Sequence, residues 1–176
     1  MQGRRRKVVW REQVLVCTGG SGDGGSDEVG AAGVAPESVI LPVKVLSTRG
    51  GGTSEGIAAG IDYAVDEGAD IINLSLGGAY SRVIHLAIQK AVSKGVVVVA
   101  AAGNGGRKGV SYPGALKETI GVAALDSHGK LAHYSSWGQG VDIAAPGGDT
   151  RQQGGGILQS VDYDVHCHGN LWDWCR

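Results

Sequence analysis

The chain has 176 residues, enough for one domain or part of a larger one, and long enough to bury a core. Hydrophobic residues make up 42%, which excludes a typical disordered chain, and the net charge of −1 gives no electrostatic reason to expect nucleic acid as a partner. No apolar run reaches the roughly 18 residues of a transmembrane helix, so no membrane span is expected, and the three cysteines, Cys17, Cys167 and Cys175, are an odd number that argues against a closed disulfide framework.

Three zones follow one another. Residues 1–32 read as an irregular N-terminal segment. It opens on the basic run Arg4-Arg5-Arg6-Lys7, expected to be a solvated terminus, and the apolar Val8-Val9-Trp10 after it is too short for a signal peptide. Residues 33–150 are regularly patterned, and residues 151–176 form a divergent, Gly-rich tail that also carries Trp and Cys.

Within the middle zone, Val39-Ile40-Leu41 and Val43 to Leu46 predict a strand, with Pro42 marking an irregularity because it lacks an N–H. Ile57, Ala58, Ile61, Ala64 and Val65 share one face of a 3.6-residue period and predict a helix, with Gly68 placed for a left-handed cap. Asp70 to Leu76 predicts a strand buried on both faces. Val83, Ile84, Ala87, Ile88, Ala91 and Val92 mark a second helix, with Lys94 and Gly95 at its C-terminus. Val96 to Ala102 is an unbroken apolar run, the pattern of a central parallel strand, and Thr119 to Leu125 and Val141 to Ala145 read as further strands. Alternating strands and helices imply an α/β fold around a mostly parallel sheet, whose ligands bind beyond the carboxyl ends of the strands.

Chemistry is therefore sought just after Leu76 and Ala102. Both segments end in small residues and glycines, Asn73 to Gly78 and Val99 to Gly105, which leave backbone groups open. The Asn104 amide is a donor suited to a developing oxyanion, although Gly-Asn-Gly is also good turn chemistry. A dinucleotide loop is disfavoured, because Lys108 stands where a third glycine is needed. His166, Cys167, His168 and Cys175 fit no standard metal-finger spacing.

Gly33-Val34-Ala35-Pro36, Val43 to Leu46, Ile71 to Gly78 and Val97 to Asn104 together resemble the subtilisin-like serine proteases. Tyr112-Pro113-Gly114, Ile120 to Ala124, Tyr134 to Gly138 and Val141 to Gly147 continue the resemblance in the family's order. It spans roughly residues 30–150. The resemblance implies a three-layer α/β/α sandwich, incomplete at both ends, and a serine endopeptidase that works through an acyl-enzyme. Asn104 would be its oxyanion donor. Ser75, Leu76 and Gly77 would pair with the substrate backbone, Gly50, Gly51 and Gly52 would form the opposite substrate edge, and Ala101, Ala102 and Gly103 one wall of the specificity pocket. The implied partner is an extended polypeptide held by strand addition. No cofactor is needed for the chemistry. A structural calcium is implied by resemblance, with Asp142, near the carbonyls of Gly114 and Glu118, as the weak candidate ligand.

The catalytic motifs of the family are not found. Val14 to Gly19 is similar to the strand that should end in Asp, but no Asp follows Val16. The histidines, His85, His128, His133, His166 and His168, all lie downstream of the expected position, and no Gly-Thr-Ser occurs. A fragment of a protease and a non-catalytic peptide-binding pseudoprotease are both consistent with this pattern.

Overall fold

The computed structural model describes residues 7–10, 35, 38–151 and 154–157. Strand β1 is Lys7–Trp10 and β2 is Val39–Pro42; helix α1, Ser54–Asp66, leads to β3, Ile71–Leu74; helix α2, Arg82–Ser93, leads to β4, Val97–Ala101; β5, Ile120–Leu125, and β6, Ile143–Pro146, complete one sheet. Its six strands run in the order β2-β1-β3-β4-β5-β6, and every pairing is parallel. This is the expected α/β architecture.

Both helices form where the apolar period placed them. Thr53 caps α1, its hydroxyl accepting from the Gly56 N–H at 3.0 Å, and Ser81 caps α2 by accepting from Ile84 at 3.5 Å. Gly68 and Gly95 follow the two helices with φ of +75° and +85°, conformations that favour glycine. The faces bearing Ile57, Ile61 and Ala64, and Ile84, Ile88 and Ala91, are buried against each other and against Ile72, Leu74, Val98 and Ala100 of the sheet. Both helices thus cover the same sheet face. Among the described residues no helix lies on the other.

That one-sided cover corrects the expectation for the third strand. It runs over Ile71–Leu74 rather than Asp70 to Leu76, and only Ile72 and Leu74 are fully buried, while Ile71 and Asn73 alternate toward the less covered face. Pro42 ends β2 rather than sitting inside it, so Val43 to Leu46 continue without strand pairing, as the missing N–H explains. The sixth strand starts at Ile143 rather than Val141, because Asp142 is engaged with the β5 backbone. The sequence reading did not anticipate β1, which lies in the zone read as irregular and pairs with both β2 and β3. Val14 to Gly19 and the cysteines lie outside the described residues.

Candidate functional site

Because all six strands are parallel, their carboxyl ends share one edge of the sheet. The chain leaving β4 there is built tightly. Ala102 is buried, donates its N–H to the Val122 carbonyl at 2.8 Å and accepts from the Ser111 N–H at 2.8 Å. Gly103 has φ of +106°, and a Cβ at this position would stand 2.5 Å from the Ser111 Oγ. Its carbonyl accepts from the Ser136 N–H at 2.8 Å, the Gly105 N–H donates to the Ser136 Oγ at 3.2 Å, and the Gly106 N–H donates to the Tyr134 carbonyl at 2.7 Å.

The turn after β4 is therefore held from outside, by residues 134–136. Asn104 sits at its exposed tip, and its amide makes no hydrogen bond to any other described residue. A capping asparagine would spend that amide on the turn, which this one does not. Among the described residues the donor is uncommitted.

Beyond β3, the Asn73 amide donates to the Ser75 Oγ at 2.9 Å, and Leu76 packs against the core. Gly77 is exposed and lies against Ser111, where a Cβ would come within 3.1 Å of the serine Cβ. Gly78 and Tyr112 exchange both backbone hydrogen bonds, at 2.9 and 3.1 Å, as an isolated antiparallel bridge. Ser111 and Tyr112 thus join the chain leaving β3 to the chain leaving β4. Neither was singled out as a site residue from the sequence. The Tyr112-Pro113-Gly114 triplet was the available signal, but the link runs through backbone groups that no side-chain pattern reveals. The same segment is pinned below by the buried Thr119 hydroxyl, 2.8 Å from the Pro113 carbonyl, and a Cβ at Gly114 would overlap the Ala101 carbonyl.

The third group of predicted residues is placed differently. Gly50, with φ of +77°, donates its N–H to the Ser47 carbonyl at 2.9 Å, and the Gly51 carbonyl accepts from the Ser47 N–H at 2.8 Å. Gly52 is pressed against Leu46 and the Val45 carbonyl. Gly50 and Gly51 close a tight turn on Ser47, and Gly52 leads from it toward α1; none of the three lies in a strand. The turn follows β2, and Ser75 to Gly77 follow β3. One strand, β1, separates them.

The carboxylates of Asp142 and Glu118 each have partners within the fold. The Asp142 carboxylate accepts from the Gly121 N–H at 2.8 Å, closing a ring with its own N–H on the Gly121 carbonyl at 2.9 Å. Glu118 accepts from the Gln89 amide at 3.0 Å and contacts His85 at 3.2 Å. Gln89 first of all, with His85, lowers the Glu118 pKa from its ordinary value, against the opposing effect of burial. Among the described residues no three His, Cys, Asp or Glu side chains converge on a point that could hold a metal.

A further ionic cluster lies after β6. Asp149, only 3% exposed, accepts from the Arg151 guanidinium at 3.2 Å and contacts the His133 Nδ1 at 2.9 Å. The Arg151 guanidinium foremost, then His133, holds its carboxyl well below the usual carboxylate range.

The subtilase family model matches residues 16–171. Thermitase of Thermoactinomyces vulgaris is 44% identical over 123 residues, covering 69% of this chain and 44% of that protein. The cell wall-associated protease of Bacillus subtilis (strain 168) is 47% identical over 117 residues, covering 66% of this chain and 13% of that protein. Among solved structures, a cold adapted subtilisin-like serine proteinase superposes with a TM-score of 0.64 at 33% identity, covering 67% of this chain and 44% of that one. The self-cleaved protease domain of PatA does so with a TM-score of 0.64 at 35% identity, covering 71% and 51%. The chain spans less than half the length of either curated relative.

Proposed function

The chain belongs to the subtilase family, and we propose that it forms the substrate-holding and oxyanion-stabilising part of a serine endopeptidase's catalytic domain. The observation that carries this reading is the junction at the carboxyl edge of the sheet. The uncommitted Asn104 amide stands on a rigid turn, joined through Ser111 and Tyr112 to the backbone edge of Ser75, Leu76 and Gly77. An extended polypeptide laid along that edge would gain main-chain hydrogen bonds, which tolerate many side chains. A carbonyl positioned near Asn104 would meet a donor in place before the reaction begins, so that no reorganisation is needed as charge develops. In subtilisin itself, loss of the corresponding donor costs about 2.7–4 kcal/mol of transition-state stabilisation. Ala101, Ala102 and Gly103 would line the adjoining pocket, and Gly50, Gly51 and Gly52 would border the peptide from the β2 side.

Acyl transfer to serine needs a nucleophile, a base and an orienting acid in hydrogen-bond reach, and this sequence contains none of the family's three motifs. That observation favours a second reading, a pseudoprotease that binds extended peptide without cutting it. A fluorophosphonate probe combined with peptide-binding titration separates the two. Labelling that one Ser→Ala change removes, and that Asn104→Ala slows, supports the endopeptidase. Peptide binding without labelling supports the pseudoprotease, and neither labelling nor binding overturns both. The chemistry requires no cofactor. The engagement of the Asp142 carboxylate with the Gly121 N–H predicts that Asp142→Ala leaves the response of the melting temperature to added calcium unchanged.

A further inference from the structure

An exposed hydroxyl just before α2 stands in contact with a base. Tyr80 directly precedes Ser81, the cap of that helix. Its hydroxyl lies 3.1 Å from the His85 Nδ1, and the His85 Nε2 lies 3.2 Å from the Glu118 carboxylate, which accepts from the Gln89 amide at 3.0 Å. Exposure falls along this tether, from the open tyrosine through the histidine to the carboxylate.

The protons can be assigned. An ionised Glu118 only accepts, so the His85 Nε2 carries the proton. The Nδ1 of the neutral imidazole then keeps its lone pair, and the Tyr80 hydroxyl donates to it. Nucleophile, base and orienting acid thus follow one another in hydrogen-bond contact, the arrangement that activates a hydroxyl. When His85 takes the proton, the imidazolium faces the Glu118 carboxylate, which stabilises it. The first turn of α2 carries no acidic residue, so the partial positive charge of the helix end is not cancelled near the tyrosine.

We propose that Tyr80 is a nucleophile toward small activated acyl and phosphonyl esters, with His85 as its general base and Glu118 and Gln89 as positioning residues. The Tyr80 oxygen forms a bond to the carbonyl carbon or the phosphorus, its proton passes to the His85 Nδ1, and the bond to the leaving group breaks. From an aryl ester the leaving group is a phenolate, which regains the proton from His85 through water, and an O-acyl tyrosine remains. From a fluorophosphonate it is fluoride, the proton passes from His85 to water, and an O-phosphonyl tyrosine remains. No serine takes part, so this reactivity stands apart from both the endopeptidase and the pseudoprotease readings. Exposure alone does not confer it. Tyr63 on α1 is as open as Tyr80, at 49% against 50%, and its hydroxyl has no hydrogen-bond partner among the described residues.

The test treats the intact chain with a fluorophosphonate and follows the adduct on each residue over time by tandem mass spectrometry. In the unaltered protein Tyr80 should react on the order of a hundredfold faster than Tyr63, the lower end of what a positioned base contributes. His85→Gln should bring Tyr80 down to the rate of Tyr63, and Glu118→Gln part of the way, with Tyr63 unchanged in both. A merely structural role for the tether would shift the melting temperature and leave the ratio of the two rates intact, which would overturn the assignment. Equal rates at the two tyrosines of the unaltered protein, or no adduct on either, would overturn it without recourse to any variant. Each adduct is located on its own residue, so serine labelling is scored separately from the tyrosine rates.

Discussion

Gly103 illustrates how little freedom the chain has where it leaves β4. Its φ of +106° lies in a region that side chains rarely enter, and a Cβ there would press on Ser111 and, at 3.3 Å, on the Ser136 hydroxyl. Gly103→Ala should therefore destabilise the protein by about 1–3 kcal/mol, the usual cost of local backbone strain. Pairing it with Ser111→Gly should recover only the steric part, because the backbone strain stays; full recovery in urea melts would show that φ contributes nothing. Asp149 carries a different prediction. Its folded-state pKa is depressed, chiefly by Arg151, so the stability it contributes is present above the unfolded carboxylate value of about 4 and is lost as pH falls below it. Asp149→Asn should lower the melting temperature at pH 7 and reduce its fall between about pH 5 and pH 2. A variant whose acid profile parallels that of the unaltered protein would show that the ion cluster does not couple to folding.

Elements with a long, regular apolar period were legible from the sequence. The face of α1 and the face of α2 repeat over three turns, and Gly68 and Gly95 stand just past their ends at positive φ, where the sequence placed the stops. The central strand was legible because Val96 to Ala102 has no polar break. What failed was short or depended on other elements. Strand β1 is four residues beside an arginine run, with too little length to show a period. The turn at Gly50 depends on Ser47 backbone groups, and the Tyr80–His85–Glu118 tether joins residues 33 positions apart at its longest step, so neither leaves a local signal. The helix pair also sets a packing test. Ala64 and Ala91 are completely buried in two helices that lie against each other, which leaves no room for a longer side chain. Ala91→Leu should cost about 1–3 kcal/mol through overpacking. An unchanged urea midpoint would mean that the helices can move apart freely.

At the scale of the whole molecule, the two faces of the sheet are unequal. Register partners share a face, and side chains alternate along each strand. Ile72, Leu74, Val98 and Ala100 thus point into the helical layer, while Val97, Val99, Ile120, Val122 and Ile143 stand on the opposite face. Three of these remain substantially open to solvent, Val97 at 43%, Ile120 at 36% and Ile143 at 53%. Apolar side chains grouped on adjacent strands form a contiguous patch, which soluble proteins rarely leave uncovered without consequence. The expected outcome is binding of a hydrophobic dye such as ANS to the native state, well below the unfolding transition, together with self-association that grows with concentration. Ile143→Lys combined with Val97→Thr places polar atoms on that face and touches none of the residues of the helical layer. It should reduce dye fluorescence and self-association together, while the cooperative melt persists. If the native protein binds no dye and sediments as a monomer at every concentration, the patch is covered in solution. The β4–β6 side of the sheet would then be an interior surface rather than an open one.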